Sequence, residues 1–323
     1  MKITGWLTLL LSTLLCISSA DRAQGAIFGS GANTFNVDFV PIGNPGNPAD
    51  GTGNPNPAGS VAYSFDIGKH EISEDMINKA NVEGGLFLTK DTRGLDKPAT
   101  NLTWNEAARF VNWLNTSTGS PRAYKFALNP GDAGYTANAQ ANQNIVAWAP
   151  GDPGYNPNNL YRNSLAMYWL PSVDEWYKAA YYDPTSGVYY DYATGSDIAP
   201  TFVDNGTAAG TAVYNRPFGQ NPADITDAGG LSPYGTMAQG GNVFEWNESD
   251  AIQPNGPVGD ARVMRGGYLS SISAHLLSST LFSVVPTGQE NIRGFRVATV
   301  PEPSAVMLLA LASFGALWRR TWR

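Results

Sequence analysis

The sequence has few residues that supply sulfur or imidazole. Its single cysteine is Cys16, and its only histidines are His70 and His275. A metal site built on three histidines is therefore excluded. Disulfides, thiolate nucleophiles and cysteine-ligated metals are also excluded once the segment containing Cys16 is removed.

Charge is also scarce, and its balance is acidic. Charged residues make up 15% of the 323 residues, and the formal net charge is -7. Nucleic-acid binding draws most of its affinity from lysine and arginine, so nucleic acid is excluded as a partner. The apolar fraction of 42% is enough for a core. The 35 glycines and 22 prolines indicate a loop-rich fold rather than a helical bundle.

The N-terminal residues have the layout of a secretory signal peptide. Lys2 precedes an apolar stretch over residues 6–17, and small residues follow it. Cleavage after Ala20 or Ala26 fits this pattern. We therefore predict a signal peptide over residues 1–26, whose removal takes away the only cysteine. The alternative is an uncleaved anchor.

Three features follow one another at the C-terminal end. Pro301-Glu302-Pro303 precedes a short apolar run over residues 304–318, and two arginines come directly after it. The run is short against the roughly 20 residues that a bilayer-spanning helix needs. The simplest interpretation is an ordinary single-pass anchor with its arginines in the cytoplasm.

The same tripartite pattern resembles the PEP-CTERM sorting signal, and we assign residues 300–323 to it. The resemblance implies a bacterial source with an envelope. It also implies a short transmembrane helix that anchors the chain transiently, until a membrane exosortase cuts near the motif. The protein would then reach the cell surface or the exopolysaccharide matrix.

Two segments carry the pattern of an amphipathic helix that begins with a capping box. Thr103 and Glu106 form the box in TWNEAARFVNWLN, and Ser172 and Glu175 form it in LPSVDEWYKAAYY. A shorter helix is predicted to follow Ser73. These three segments are the helical part of the fold that the sequence predicts.

Strand-like segments lie on either side of a loop. FNVDFVPIG and VAYSFDIGKHEIS both alternate apolar and polar residues. Residues 43–59 between them are rich in glycine, proline and asparagine, which predicts a surface loop. From residue 183 to about residue 235, short segments rich in tyrosine and threonine predict brief strands joined by long connections.

A phrase occurs twice, as PGDAGYTAN at residues 130–138 and as PGDPGYNPN at residues 150–158. Each copy places an aspartate after a Pro-Gly turn and an aromatic residue shortly after it. Such a combination could hold a cation or stack a sugar. The favoured interpretation is two similar surface turns, since two copies do not make a solenoid.

Six phrases follow in a specific order: GKHEISEDM, PATNLTWNEAARFVNWLN, YWLPSVDEWYKAAYY, GGNVFEW, RVMRGGYLSS and RGFRVAT. Together they resemble the sulfatase-modifying factor, or formylglycine-generating enzyme, family across roughly residues 36–299. The resemblance implies an α+β fold of the C-type lectin type with little regular secondary structure. We assign residues 27–299 to this domain.

The resemblance also implies a calcium site at GGNVFEW. By position, its ligands would be the carbonyls of Gly241 and Val243 and the carboxylate of Glu245, and calcium takes six to eight oxygen ligands. The family usually supplies a further Asn or Asp where this chain has Ala238. Two interpretations of Glu245 therefore stay open: a calcium ligand, or a structural carboxylate that accepts backbone N–H bonds.

The residues that the family's oxidase chemistry needs are missing. The family binds copper(I) between two cysteines downstream of its Arg-Gly-Gly motif, because soft thiolates favour that ion. The matching positions here are Ser271 and Leu276, and neither supplies a thiolate. We therefore expect no copper site and no formylglycine generation. The rival class is an enzyme, either the family oxidase with an unrecognised metal site or a hydrolase using His275 near Ser271 and Ser273, although no GxSxG elbow accompanies them.

The leading hypothesis is a secreted, surface-sorted protein that acts without catalysis as a binding or extracellular matrix component. Its expected partners are the exosortase-type machinery and an exopolysaccharide or surface glycan. The candidate binding surface consists of loop aromatics, namely Tyr135, Trp148, Tyr155 and Tyr268.

Overall fold

The computed structural model describes residues 24–136, 143–250 and 261–301. Most of the predicted signal peptide and nearly all of the predicted sorting segment lie outside the described residues. Within the described ranges, no helix is long and apolar enough to cross a membrane.

The described residues form three α-helices and eleven short strands. The helices are α1 (Glu74–Gly84), α2 (Trp104–Ser117) and α3 (Val173–Tyr181). The strands are β1 (Gln24–Phe28), β2 (Phe35–Ile42), β3 (Phe65–Gly68), β4 (Tyr168–Trp169), β5 (Thr201–Phe202), β6 (Thr211–Ala212), β7 (Phe244–Asp250), β8 (Arg262–Arg265), β9 (Phe282–Val284), β10 (Arg293–Gly294) and β11 (Ala298–Thr299). The α+β, loop-rich architecture predicted from the sequence is confirmed.

The strands form three sheets. The largest has the order β1-β2-β3-β11-β4, and all its neighbours are antiparallel. A second sheet has the order β10-β7-β8-β9, in which β10 and β7 are parallel. The strands β5 and β6 form a small parallel pair. The first sheet therefore joins the beginning and the end of the described chain, because β11 lies between β3 and β4.

The helices begin where the sequence predicts. The Thr103 side chain accepts the N–H of Glu106, whose carboxylate reaches back to the N–H of Thr103, and Ser172 and Glu175 do the same for α3. Ser73 caps α1 by accepting the N–H of Met76. These bonds satisfy N–H groups that a helix start otherwise leaves without a partner.

Two local predictions need correction. The alternating segment from residue 61 to residue 73 forms a strand only over β3, because Ile72 N–H donates to Phe295 O and Ser73 already caps α1. The loop over residues 43–59 is not wholly at the surface. Asn47 is buried there, with its amide donating to Gly59 O and its amide oxygen accepting from Val61 N–H.

The main core lies between the five-stranded sheet and α2. Every residue of α2 from Trp104 to Asn115 is buried. The Trp104 indole donates to the carbonyl of Asn247 at 2.8 Å, which joins α2 to β7 of the second sheet. The motif strand β7 therefore lies against a fixed helix, and each of its residues is buried.

Candidate functional site

Glu245 of the GGNVFEW motif lies in β7 and is fully buried. The Arg296 guanidinium donates to both carboxylate oxygens, through Nε and Nη2, each at 2.6 Å. The Trp176 indole donates to the same carboxylate at 2.7 Å. Bidentate, charge-assisted bonds of this kind are strong. The carboxylate is thus held by side chains rather than by the backbone N–H groups that the sequence suggested.

Arg296 also joins three parts of the chain. Its Nη1 donates to the carbonyl of Gly68 at 2.8 Å, at the end of β3. Its Nη2 donates to the carbonyl of Met237 at 2.7 Å. The guanidinium therefore connects the five-stranded sheet, the segment before the motif and β7.

A second carboxylate, Glu71, is buried in the same cluster. Its Oε2 accepts the Asn242 amide at 2.8 Å, while its Oε1 has no hydrogen-bond partner within the described residues. Burial, and then the negative charge of Glu245, raise the pKa of Glu71 well above its usual range. One arginine thus faces two buried carboxylates, and the protonated form of Glu71 relieves the excess negative charge.

The bend before β7 depends on two special backbone positions. Gly241 has φ 107°, and a Cβ at this residue would lie 2.3 Å from Val213 O. Asn242 has φ 58°, in the left-handed region that asparagine tolerates. Its N–H donates to Val213 O, and its side-chain oxygen accepts the N–H of Ala223 at 2.8 Å. The motif is therefore fixed by hydrogen bonds within the protein.

The donors at this position do not fit a calcium ion. Both oxygens of Glu245 accept bonds from Arg296 or Trp176, and Ala238 supplies no side-chain oxygen. The guanidinium charge lies where a cation would have to approach. Calcium needs six to eight oxygen ligands. Across the part of the chain that the structure describes, no group of three or more His, Cys, Asp or Glu side chains could hold a metal.

Ser271 and Leu276 lie close together, beside the Arg-Gly-Gly motif. A Cβ built on Gly267 would lie 2.8 Å from Leu276 Cδ1 and 3.3 Å from Ser271 Oγ. Each of the two side chains is 1% exposed. The two positions that would carry the oxidase cysteines are therefore adjacent, but they are buried and contain no sulfur.

The cavity beside Leu276 is too small for a peptide substrate. Its volume is about 10 Å³, which is about the space that one water molecule needs. Thr194 lines it, and its buried hydroxyl has no partner within the described residues. One water in this cavity would satisfy that hydroxyl.

The His275 and Ser271 pair also lacks the geometry of a nucleophilic site. His275 Nδ1 lies 3.4 Å from Ser271 Oγ, and the same hydroxyl accepts the N–H of Tyr268 at 2.9 Å. A serine nucleophile must be reached by its substrate, whereas Ser271 is buried. The hydroxyl thus closes a turn of the backbone.

The four aromatic residues predicted to form a binding surface are all partly buried, and each lies against different neighbours. The Tyr135 hydroxyl donates to Leu86 O at 3.1 Å, and the Trp148 indole donates to Ala123 O at 3.2 Å. The N–H of Tyr155 donates to the Asp152 carbonyl. The Tyr268 ring packs on Phe244 with centroids 5.4 Å apart.

The two copies of the repeated phrase form the same kind of turn. Asp132 accepts the N–H of Asn129 at 2.8 Å, and Asp152 accepts the N–H of Ala149 at the same distance. Asp152 also pairs with Lys125 at 2.7 Å. Each aspartate therefore stabilises its own turn, which fits the interpretation of two similar surface turns.

Sequence reasoning missed three partners of Glu245, namely Glu71, Trp176 and Arg296. Arg296 stands in a short apolar context, in GFRVA. A charged residue between buried apolar neighbours needs an opposite charge or a proton, because an isolated buried charge is very costly. That signal indicates that partners exist but does not identify them.

The family assignment follows from this geometry and from comparison with known proteins. The model for the sulfatase-modifying factor enzyme 1-like domain matches residues 40–300. The chain belongs to this family, as its six motifs predicted. No curated protein sequence matches the chain.

A second match identifies the C-terminal signal. The PEP-CTERM protein-sorting motif matches residues 299–320, which confirms the resemblance seen in the sequence. The motif implies processing by exosortase-type sorting machinery and supports export to the cell surface.

Solved structures share the fold at low sequence identity. Treponema denticola variable protein 1 matches with a TM-score of 0.59 and 18% identity, over 87% of this chain and 100% of that chain. CarF matches with a TM-score of 0.53 and 18% identity, over 82% of this chain and 99% of that chain. Together with the family match, these similarities confirm the predicted C-type lectin-like fold.

Proposed function

We propose that this protein acts without catalysis, as a binding component of the cell surface or extracellular matrix. The proposal rests on the two positions that match the copper-binding cysteines of the family. Ser271 and Leu276 supply no thiolate and are buried, and Leu276 adjoins a cavity with space for about one water. A copper(I) centre that takes a peptide needs both sulfur ligands and access.

The partner we propose is an exopolysaccharide or another surface glycan. The sorting motif supports delivery to the compartment where such polymers occur. Tyr135, Trp148, Tyr155 and Tyr268 remain the candidate contacts, because aromatic rings with a polar edge suit partly wetted contacts. The C-terminal helix remains a proposed transient anchor.

Retention on exopolysaccharide extracted from the native host tests the proposal. We expect the full-length protein to be retained both with and without a chelator. Replacement of Trp148 or Tyr135 by alanine should weaken retention. Phe218→Ala is the matched control, since Phe218 is 82% exposed and outside the proposed surface. Absence of retention in both conditions contradicts the proposal.

The competing enzymatic function has its own assay. The protein is titrated with copper(I) and then incubated with a cysteine-containing sulfatase peptide and oxygen. We expect neither tight copper binding nor oxidation of the peptide, because the two adjacent positions supply a hydroxyl and a methyl group. Turnover of the peptide would overturn the non-catalytic assignment.

A further inference from the structure

A cleft of about 570 Å³ lies apart from the Leu276 cavity. It is lined by the end of β2, the beginning of β3 and the segment 231–235, with Pro301 at its edge. It shares no lining residue with the cavity beside Leu276. Its volume is in the range of small-molecule sites in proteins.

One wall of the cleft carries a fixed aromatic ring, Tyr234. The ring stacks on Tyr182 with centroids 6.3 Å apart and planes 28° from parallel. The Tyr234 hydroxyl donates to the carbonyl of Gly43 at 3.3 Å. Beside it, Leu231 is 42% exposed. A ring held at two points loses little conformational entropy on binding, so it suits the apolar face of a ligand ring.

The other lining groups are polar and mixed in kind. Lys69 makes no ion pair, and the exposed Ser64 hydroxyl makes no hydrogen bond, within residues 24–136, 143–250 and 261–301. Asn44 and Asp66 also line the cleft, and the Asn44 side-chain N–H donates to Pro184 O at 3.3 Å. The cleft therefore offers both donors and acceptors, which sugar hydroxyls need because each of them donates and accepts.

The charges of the cleft and of the whole chain favour neutral ligands over acidic ones. Within the described lining, the charges of Lys69 and Asp66 cancel. The whole chain carries a formal net charge of -7, so an anionic polymer is repelled as it approaches. A ligand without charge meets no such barrier.

We propose that this cleft binds a neutral saccharide chain, with one sugar ring against Tyr234 and its hydroxyls bonded to Ser64 and Lys69. The inference rests on the proposed function, whose partner class it narrows to uncharged glycans. The lining of the cleft contains none of the four predicted aromatics, so the cleft is a contact in addition to them.

Calorimetric titration of the full-length protein with neutral hexasaccharides of glucose, mannose and galactose tests the inference, with oligogalacturonate as the acidic comparison. We expect saturable binding of a neutral probe that high salt does not weaken. Tyr234→Ala should weaken it about tenfold, which corresponds to about 1.4 kcal/mol. Phe218→Ala, at an exposed aromatic outside the cleft, should leave it unchanged.

A second variant fills the cleft without disturbing the fold. A Cβ added at Gly43 meets no atom within 4 Å, so Gly43→Phe should keep the thermal unfolding midpoint and abolish binding. The inference is overturned if no neutral probe binds, if oligogalacturonate binds more tightly, or if Gly43→Phe binds as the original protein does. It is also overturned if a peptide of residues 300–306 displaces the saccharide, because the cleft would then be a seat for the chain's own C-terminal segment.

Gly43→Phe also distinguishes a failure of this inference from a failure of the proposed function. If the protein is retained on host exopolysaccharide and Gly43→Phe is retained equally, the cleft assignment fails and the proposed function stands. If the protein binds a neutral hexasaccharide but is not retained on the host polymer, the proposed function fails and the cleft assignment stands.

Discussion

At the scale of single residues, the cluster around Glu245 determines what the family motif does in this chain. Arg296 neutralises Glu245, and Glu71 lies beside them with one carboxylate oxygen lacking a partner among the described residues. A buried ion pair contributes little net stability relative to apolar side chains, but loss of one partner leaves a buried charge that is very costly. The motif thus depends on a charge balance inside the protein.

Replacing Arg296 by methionine should lower the free energy of unfolding by about 3–5 kcal/mol, because Glu245 would be left as an uncompensated buried carboxylate. Urea unfolding at neutral pH measures the change. Lys79→Met is the matched control, since it removes a cation from the partly exposed pair with Asp75 and should cost about 0.5 kcal/mol. Equal losses of unfolding free energy in the two variants would show that Glu245 does not depend on Arg296 for its neutralisation.

Glu71 should make the stability of the protein depend on pH. Its folded-state pKa is raised, so the folded protein keeps a proton that the unfolded chain has already released. Stability therefore falls as pH rises above the ordinary glutamate pKa of about 4.3, until the folded-state pKa is reached. Glu71→Gln removes this fall, so its stability relative to the original protein should rise as the pH increases above about 4.3.

Urea unfolding across that pH series measures the effect of Glu71→Gln. The exposed Glu83 provides the control, and Glu83→Gln should follow the original pH profile. A Glu71→Gln profile parallel to that of the original protein would show that Glu71 is not protonated in the folded state.

At the scale of elements, the connection from β8 to the short 3-10 helix Ser273–Leu276 sets the distance between the two positions that match the family's cysteines. Ser271 and Leu276 converge above Gly267, where a Cβ would be too close to Leu276. A pair of cysteines there would place two sulfurs close together, and soft thiolates favour copper(I). The backbone thus brings the two positions together, and it is their side chains that supply no sulfur.

The double variant Ser271→Cys with Leu276→Cys should therefore bind one copper(I) tightly. Competition with a chromophoric copper(I) chelator measures it under reducing conditions. The single variant Ser271→Cys is the control and should bind much more weakly. If the double variant binds no more copper than the single one, the two positions do not form a site.

The sequence predicts the elements well where the determining residues are neighbours. The capping boxes of α2 and α3 and the strand β2 follow from spacings of a few residues. The cluster of Glu71, Asn242, Glu245 and Arg296 joins residues more than 200 positions apart, and no local pattern links them. The length of β3 was overestimated for a similar reason, since Ile72 bonds to Phe295 far along the chain.

At the scale of the whole molecule, arginines of the same chain pair with the buried carboxylates of the fold. Besides the Glu245 pair, Arg162 bridges the buried carboxylates of Glu175 and Glu248 at 2.9 Å and 2.7 Å. These guanidinium groups satisfy carboxylates that would otherwise need a cation. Whether the protein binds the calcium ion that the family resemblance implies can be tested by measuring the stability of the intact protein.

Chelation should leave the thermal unfolding midpoint unchanged, and added calcium should not raise it. A ligand that binds only the folded state raises the midpoint in a concentration-dependent way. Differential scanning calorimetry with EDTA, and then with excess calcium, measures both effects. A clear fall of the midpoint in EDTA, restored by calcium, would show that the protein holds the ion.

The placement of β11 has a mechanical consequence for the C-terminal end of the described chain. The strand β11 is hydrogen-bonded to both β3 and β4. A force on the chain beyond Pro301 therefore acts on two rows of hydrogen bonds at once, rather than separating an edge strand from the sheet. Severing the chain after that residue leaves both rows in place. The five-stranded sheet can thus resist a force applied at its C-terminal end, and it does not depend on any residue beyond Pro301.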